Sequence, residues 1–138
     1  MSYDLLVFDP AAAPKDRAEF LSWWEQQSQW AEQHGYDDPA ITTSALRGWF
    51  LEMILKFPAM NGPFASDDVP EDEATVTDYS VGSSVIYAGF AWSKMEPAYE
   101  EAFSLAAKHR IGFFDASSEK GEVWLPGEGG QLVLLHSG

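Results

Sequence analysis

Hydrophobic positions along this chain change period several times, and each change predicts an element. Tyr3, Leu5, Leu6, Val7 and Phe8 form a compact β-favouring run. Asp9-Pro10 closes it, because proline removes a ladder donor and biases the residue before it away from helix. A first helix is expected from near Pro14, with Asp16 and Glu19 close to the positive end of its dipole and Gly35 as its stop. Phe20, Leu21, Trp23, Trp24, Trp30 and Ala31 are its apolar positions, interrupted by the polar run Gln26, Gln27, Ser28, Gln29. The second helix has the cleanest pattern: Leu46, Trp49, Phe50, Met53, Ile54 and Phe57 fall on one continuous helical stripe. Thr42 or Thr43 supplies its N-cap and Pro58 its stop.

Residues 66–78 are polar and acidic and read as a loop. Residues 75–81 and 84–92 then read as two strands joined at Gly82-Ser83, a hairpin. A third helix follows, with Tyr99, Ala102, Phe103, Leu105 and Ala106 as its buried face. Its start has two readings: a capping box from Ser93 to Glu96, or Glu96 as cap with Pro97 in the first turn. Lys108, His109 and Arg110 sit where positive charge complements the end of the dipole. Three β runs at 111–114, 122–125 and 131–135 complete the chain. No linker or repeat divides it, so residues 1–138 are expected to form one α+β domain. The order is that of a ferredoxin-like, split βαβ sheet, antiparallel-dominated, with an additional helix after the first and a C-terminal β extension. Helices on one face would bury the stripes. A different strand order is the alternative, because residues 75–81 are weakly patterned.

Charge changes this picture. Twenty-two acids oppose 8 bases, a formal net charge of -14, yet 46% of the residues are hydrophobic and there are six Trp, nine Phe and five Tyr. A disordered acidic tail is poor in aromatics, so the excess charge must coat a packed globule. Such a coat argues against nucleic acid and anionic membrane, and favours a basic protein partner or simple solubility. Cysteine is absent, which excludes structural disulfides, thiolate nucleophiles and Cys-ligated metals. The first ten residues contain no basic region and only a short apolar run, unlike a signal peptide. A cytoplasmic location without membrane spans is the expectation.

The chemistry-bearing candidates are sparse. Asp67, Asp68, Glu71, Asp72 and Glu73 crowd the acidic loop, but a Pro in their midst and the absence of alternate spacing do not fit a calcium loop. Asp37 and Asp38 precede Pro39, where turn and capping chemistry accounts for them. These seven carboxylates are the candidate partner contacts. Glycines at 62 and at 127, 129 and 130 lack the residues of a phosphate loop. No G-x-S-x-G elbow and no nucleophile–base spacing is present, so no catalytic residue, metal or cofactor is assigned, and an enzyme is the less favoured reading. Trp24, Tyr79, Tyr87 and Trp92 are the candidates for an aromatic groove between helix and sheet, which would serve a small ligand or a reaction.

SYDLLVFDP (residues 2–10), WWEQQSQWAEQHGYDDPA (residues 23–40) and AMNGPFA (residues 59–65) resemble segments of a family of small, acidic, uncharacterised bacterial proteins. That resemblance implies no activity. By composition, the chain also resembles immunity proteins that neutralise secreted toxins. The first functional expectation is therefore a protein-binding domain, an immunity or antitoxin-like inhibitor of a basic partner such as a toxin domain. A ligand-binding or enzymatic domain with an aromatic groove is the second, and a homo-oligomer paired through its own sheet is the third.

Overall fold

Four consecutive apolar residues, Leu5 to Phe8, point alternately to opposite sides of a strand, so that strand needs cover on both faces. The computed structural model describes residues 3–27, 41–60, 75–117, 122–127, 129 and 131–136. In it, β1 (Tyr3–Phe8) is followed by α1 (Arg17–Gln27), α2 (Ser44–Met53), β2 (Asp78–Val81) and β3 (Val85–Phe90). A single 3₁₀ turn (Trp92–Lys94) leads into α3 (Met95–His109), and β4 (Gly112–Phe114), β5 (Val123–Pro126) and β6 (Leu132–His136) complete the described elements. They make an α+β fold around a six-stranded antiparallel sheet in the order β2-β3-β1-β4-β5-β6.

The two faces of β1 divide the core. Tyr3, Leu5 and Val7 join Leu46, Trp49, Phe50 and Met53 of α2 and Ala98, Ala102, Leu105 and Ala106 of α3. Leu6 and Phe8 join Phe20 of α1 with Val85, Phe114 and Val123. The expectation of helices on one face is thus corrected: α2 and α3 cover one side, α1 the other. The reason is that Leu6 and Phe8, both fully buried, would otherwise face water. Gly112 belongs to this arrangement. It lies opposite Phe8 in the ladder, and a Cβ there would come within 2.2 Å of the Phe8 ring.

Helix α2 forms as its stripe predicts. Thr43 is the N-cap, its hydroxyl accepting from the Leu46 amide at 3.2 Å. The chain keeps turning beyond Met53, with the Phe57 amide donating to the Met53 carbonyl, so Phe57 also reaches the core. Alanines at 98, 102 and 106 keep α3 slim where it crosses α2, and the Trp49 indole donates to the Ala102 carbonyl at 3.0 Å. On the other face α1 has less support: only Phe20 is fully buried, packed on Phe8 and Phe114. Trp23 and Trp24 are both half-buried there, Trp23 against Phe8 and Phe20, Trp24 against Tyr87 and Phe114.

Several boundaries differ from the sequence reading. α1 begins at Arg17 rather than near Pro14, with the Asp16 carboxylate accepting from the Glu19 amide at 3.1 Å. β2 begins at Asp78 rather than near residue 75, because Thr77 is bridged to Ala59 in the segment after α2. The third helix uses neither proposed cap. Lys94 occupies the N-cap position without a side-chain cap bond, since the 3₁₀ turn shifts the start to Met95. The turn at Gly82-Ser83 does close a hairpin, with the Gly82 amide donating to the Val85 carbonyl. The expected helix stop at Gly35 and the positions of Trp30 and Ala31 lie outside the described residues.

Trp49→Ala is expected to cost about 3–5 kcal/mol, the usual range for emptying a fully buried large aromatic site. Leu55→Ala, at a residue 80% exposed, should change stability by less than about 0.5 kcal/mol. Urea melts of the two variants check this; equally small losses would mean that α2 turns a different face to the sheet.

Candidate functional site

Leaving β3, the chain makes its 3₁₀ turn with the Lys94 amide donating to the Ala91 carbonyl. This swings Trp92 back over the start of β1, where Tyr3 is the ladder partner of Phe90. The Tyr3 and Trp92 ring centroids lie 5.2 Å apart, and Trp92 remains 46% exposed. Helix α3 then presents Met95, Glu96, Tyr99 and Glu100 on one side, at offsets of one, four and five residues from Met95. With Tyr3 they line a surface groove of about 270 Å³. Met95 is also exposed, and Tyr99 is held by a stacked Phe103 and an edge-on Phe113.

The electrostatics of this groove are negative. Burial is the first reason that the Tyr3 phenol is held above the ordinary phenol range, and the charge of Asp115 is the second. Tyr99 is likewise raised, first by burial and then by Asp115 and Glu122. Both phenols therefore stay protonated at neutral pH and remain donors. The turn carrying Asp115 is tied to the start of β1: the Asp4 amide donates to the Ser117 hydroxyl at 2.7 Å, and the Ser117 amide donates to the Asp115 carboxylate at 3.2 Å. An aromatic floor bordered by carboxylates can receive a cation with an apolar stem. The ring faces attract the charge, the stem covers the rings and a carboxylate pairs with the head.

A second, larger groove of about 490 Å³ runs between the turn after α2 and the exposed side of α3. Lys56, Phe57, Thr75, Lys94, Pro97, Glu100, Glu101 and Ser104 line it, and Lys56 pairs with Glu101 at 2.9 Å. Glu100 lines both grooves, making one continuous ridge along α3. Two turns further along α3, Glu52 of α2 receives Lys108 at 2.5 Å and His109. Gly48 makes room for that contact, because a Cβ there would stand 2.7 Å from the His109 ring. These bonds hold the Glu52 carboxyl below its ordinary range, Lys108 contributing most and His109 next.

The four aromatics expected to share a groove do not all come together: Trp24 and Tyr87 meet, while Tyr79 and Trp92 lie elsewhere. Tyr79 and Tyr87 lie one register step apart, because Tyr79 pairs with Ala88 while Tyr87 pairs with Ser80, and so they face opposite sides of the sheet. Tyr79 is buried under α2 and donates to the Phe57 carbonyl at 2.7 Å. Burial pushes its phenol well above the usual range. Tyr87 stacks on Trp24 at 6.0 Å on the α1 side. Trp92 alone stands beside the negative groove. Asp37, Asp38, Asp67, Asp68, Glu71, Asp72 and Glu73 lie outside the described residues. Sequence reading missed Tyr3, Met95 and Glu100 and took Glu96 for a cap; Tyr99 does pack against the core as expected, and also lines the groove. The spacing Met-Glu-Pro-Ala-Tyr-Glu was the available signal. Among the described residues, no three His, Asp or Glu side chains form a metal-holding group, and no helix is long and apolar enough to cross a membrane. No family model, curated protein or solved structure matches this chain.

Because the folded-state pKa of Glu52 is depressed, its contribution to stability is complete above the unfolded carboxyl value and is lost as pH falls through the folded one. The stability difference between the native protein and Glu52→Gln should therefore shrink between about pH 6 and pH 3. Urea midpoints measured across that range test it, and a constant difference would contradict the pairing.

Proposed function

We propose that this chain is a cytoplasmic protein-binding domain that captures a basic partner, in the manner of an immunity or antitoxin-like inhibitor. The observation that carries the reading is the groove of Tyr3, Met95 and Tyr99 edged by Glu96 and Glu100, on a chain of net charge -14. Its chemistry suits an arginine or lysine side chain better than a neutral or anionic group. Every described carboxylate is exposed or half-exposed, so the charge acts as an external field instead of being spent on buried pairs. Such a field raises encounter rates with basic proteins, while aromatic anchors supply most of the lasting affinity. The acidic stretch Asp67 to Glu73, with Asp37 and Asp38, extends the same reading as further contacts.

At the level of fold, the reading is a ferredoxin-like domain. The antiparallel order β2-β3-β1-β4 supports this reading, since a split βαβ unit would bring the same strands together. On this reading α2 and α3, which share one face, would serve as the crossovers, so the additional helix would be α1 rather than the one expected after it, and β5–β6 would be the extension. That order says nothing about the activity, which rests on the groove.

The partner's association rate should fall as salt rises from about 0.01 to 0.15 M, over which the Debye length shortens from about 30 to 8 Å. Glu96→Gln with Glu100→Gln should mainly slow association, and Tyr99→Ala should mainly speed dissociation. Stopped-flow kinetics with the protein captured from native extract check both. An association rate indifferent to salt and to the carboxylates would sink this reading.

A further inference from the structure

Three glutamates, Glu96, Glu100 and Glu101, stand along the first half of α3. Among the described residues, Glu96 and Glu100 have no ion-pair partner, and both are exposed. Glu101 differs: its side chain is only 22% exposed, and its carboxylate pairs with Lys56 at 2.9 Å. The lysine is held far less firmly. It lies in the turn after α2 with its side chain 68% exposed, and Glu101 is its one ion partner among the described residues. An exposed pair of this kind contributes little and exchanges readily with another cation. Both residues line the larger groove, whose apolar part is buried Phe57 and Pro97, where the methylene stem of a long cationic side chain can lie. Lys94 also lines this groove, about 10 Å back along the helix axis from Glu101. Its charge leaves the Glu101 end as the place for a cation.

We infer that the larger groove is a second cation subsite, which Lys56 occupies until a partner displaces it. The captured segment then carries two basic side chains that straddle α3. This inference rests on the smaller groove being a cation site, as proposed above. The occupant follows from charge and spacing. Lys56 shows the kind of group that the second subsite accepts, an ammonium on an apolar stem paired with a carboxylate of α3. Glu100 lines both grooves, so a chain that crosses the helix there passes from one to the other. A helix with its side chains is about 10 Å across, and an extended chain advances about 3.3 Å per residue, which sets the two basic residues about three positions apart. A partner cation at Glu101 replaces one ion pair with another, and the ammonium of Lys56 returns to water.

Chemical-shift titrations of the full chain at low ionic strength with two blocked peptides, Arg-Gly-Gly-Arg and Arg-Gly-Gly-Gln, test this. Lys56→Gln removes the internal competitor and should tighten the two-arginine peptide about three- to fivefold, the size of an exposed ion pair. Lys15→Gln makes the same change in net charge at an exposed site just before α1, which packs on the other face of the sheet. It should tighten the same peptide by less than about twofold, the effect of the general field alone. Glu101→Gln should weaken the two-arginine peptide about three- to fivefold and leave the one-arginine peptide within about twofold. Equal tightening by the two lysine variants, or a two-arginine peptide indifferent to Glu101→Gln, would overturn the inference and leave the smaller groove as the place of capture. Failure of both peptides to bind would overturn the capture reading itself, and this inference with it.

Discussion

Burial of β1 on both faces is the constraint from which the rest of the structure follows. Leu5, Leu6, Val7 and Phe8 are each at most 1% exposed, and the strand is hydrogen-bonded to β3 on one side and β4 on the other. Neither helical layer can be removed without exposing half of those side chains. The layers are unequal. α2 and α3 are joined by the Trp49 indole and by a row of alanines, whereas α1 relies on Phe20 and a loose set of aromatics. Opening should therefore begin on the α1 side, where fewer side chains are fully buried.

The same constraint positions the negative groove. Tyr3 begins the central strand, and its pairing with Phe90 fixes where β3 ends and where the chain must turn to start α3. The helix is then held down by Ala98, Ala102, Leu105 and Ala106. That leaves Met95, Glu96, Tyr99 and Glu100 on the side nearest Tyr3. The phenols are thus anchored to rigid elements while the carboxylates at the rim remain solvated. On the proposed reading, the rings would supply specificity and the charge would supply speed.

Much of the fold was legible in the sequence, for reasons that differ by element. The unbroken run in β1 and the single stripe of α2 each had one periodicity and one face. α1 was harder: only one of its residues is fully buried, and adjacent Trp23 and Trp24 straddle the half-covered face. The spacing from Ser93 to Glu96 had the form of a capping box, yet the 3₁₀ turn moved the helix start beyond it. The site was less legible still. Trp92 stood out as an aromatic, but its neighbour Tyr3 lies 89 positions away in sequence, and only the register of β1 against β3 brings them together. Tyr79 and Tyr87 looked like partners until the one-step offset in the ladder sent them to opposite faces.

The most direct measurement of the central claim is a backbone and side-chain NMR titration of the full chain with a short arginine-bearing peptide at low ionic strength. The account predicts that shifts concentrate at Tyr3, Trp92, Met95, Glu96, Tyr99 and Glu100, while Trp24 and Tyr87 on the far face stay still. Shifts spread evenly over all exposed carboxylates, or centred on Trp24 and Tyr87, would contradict it.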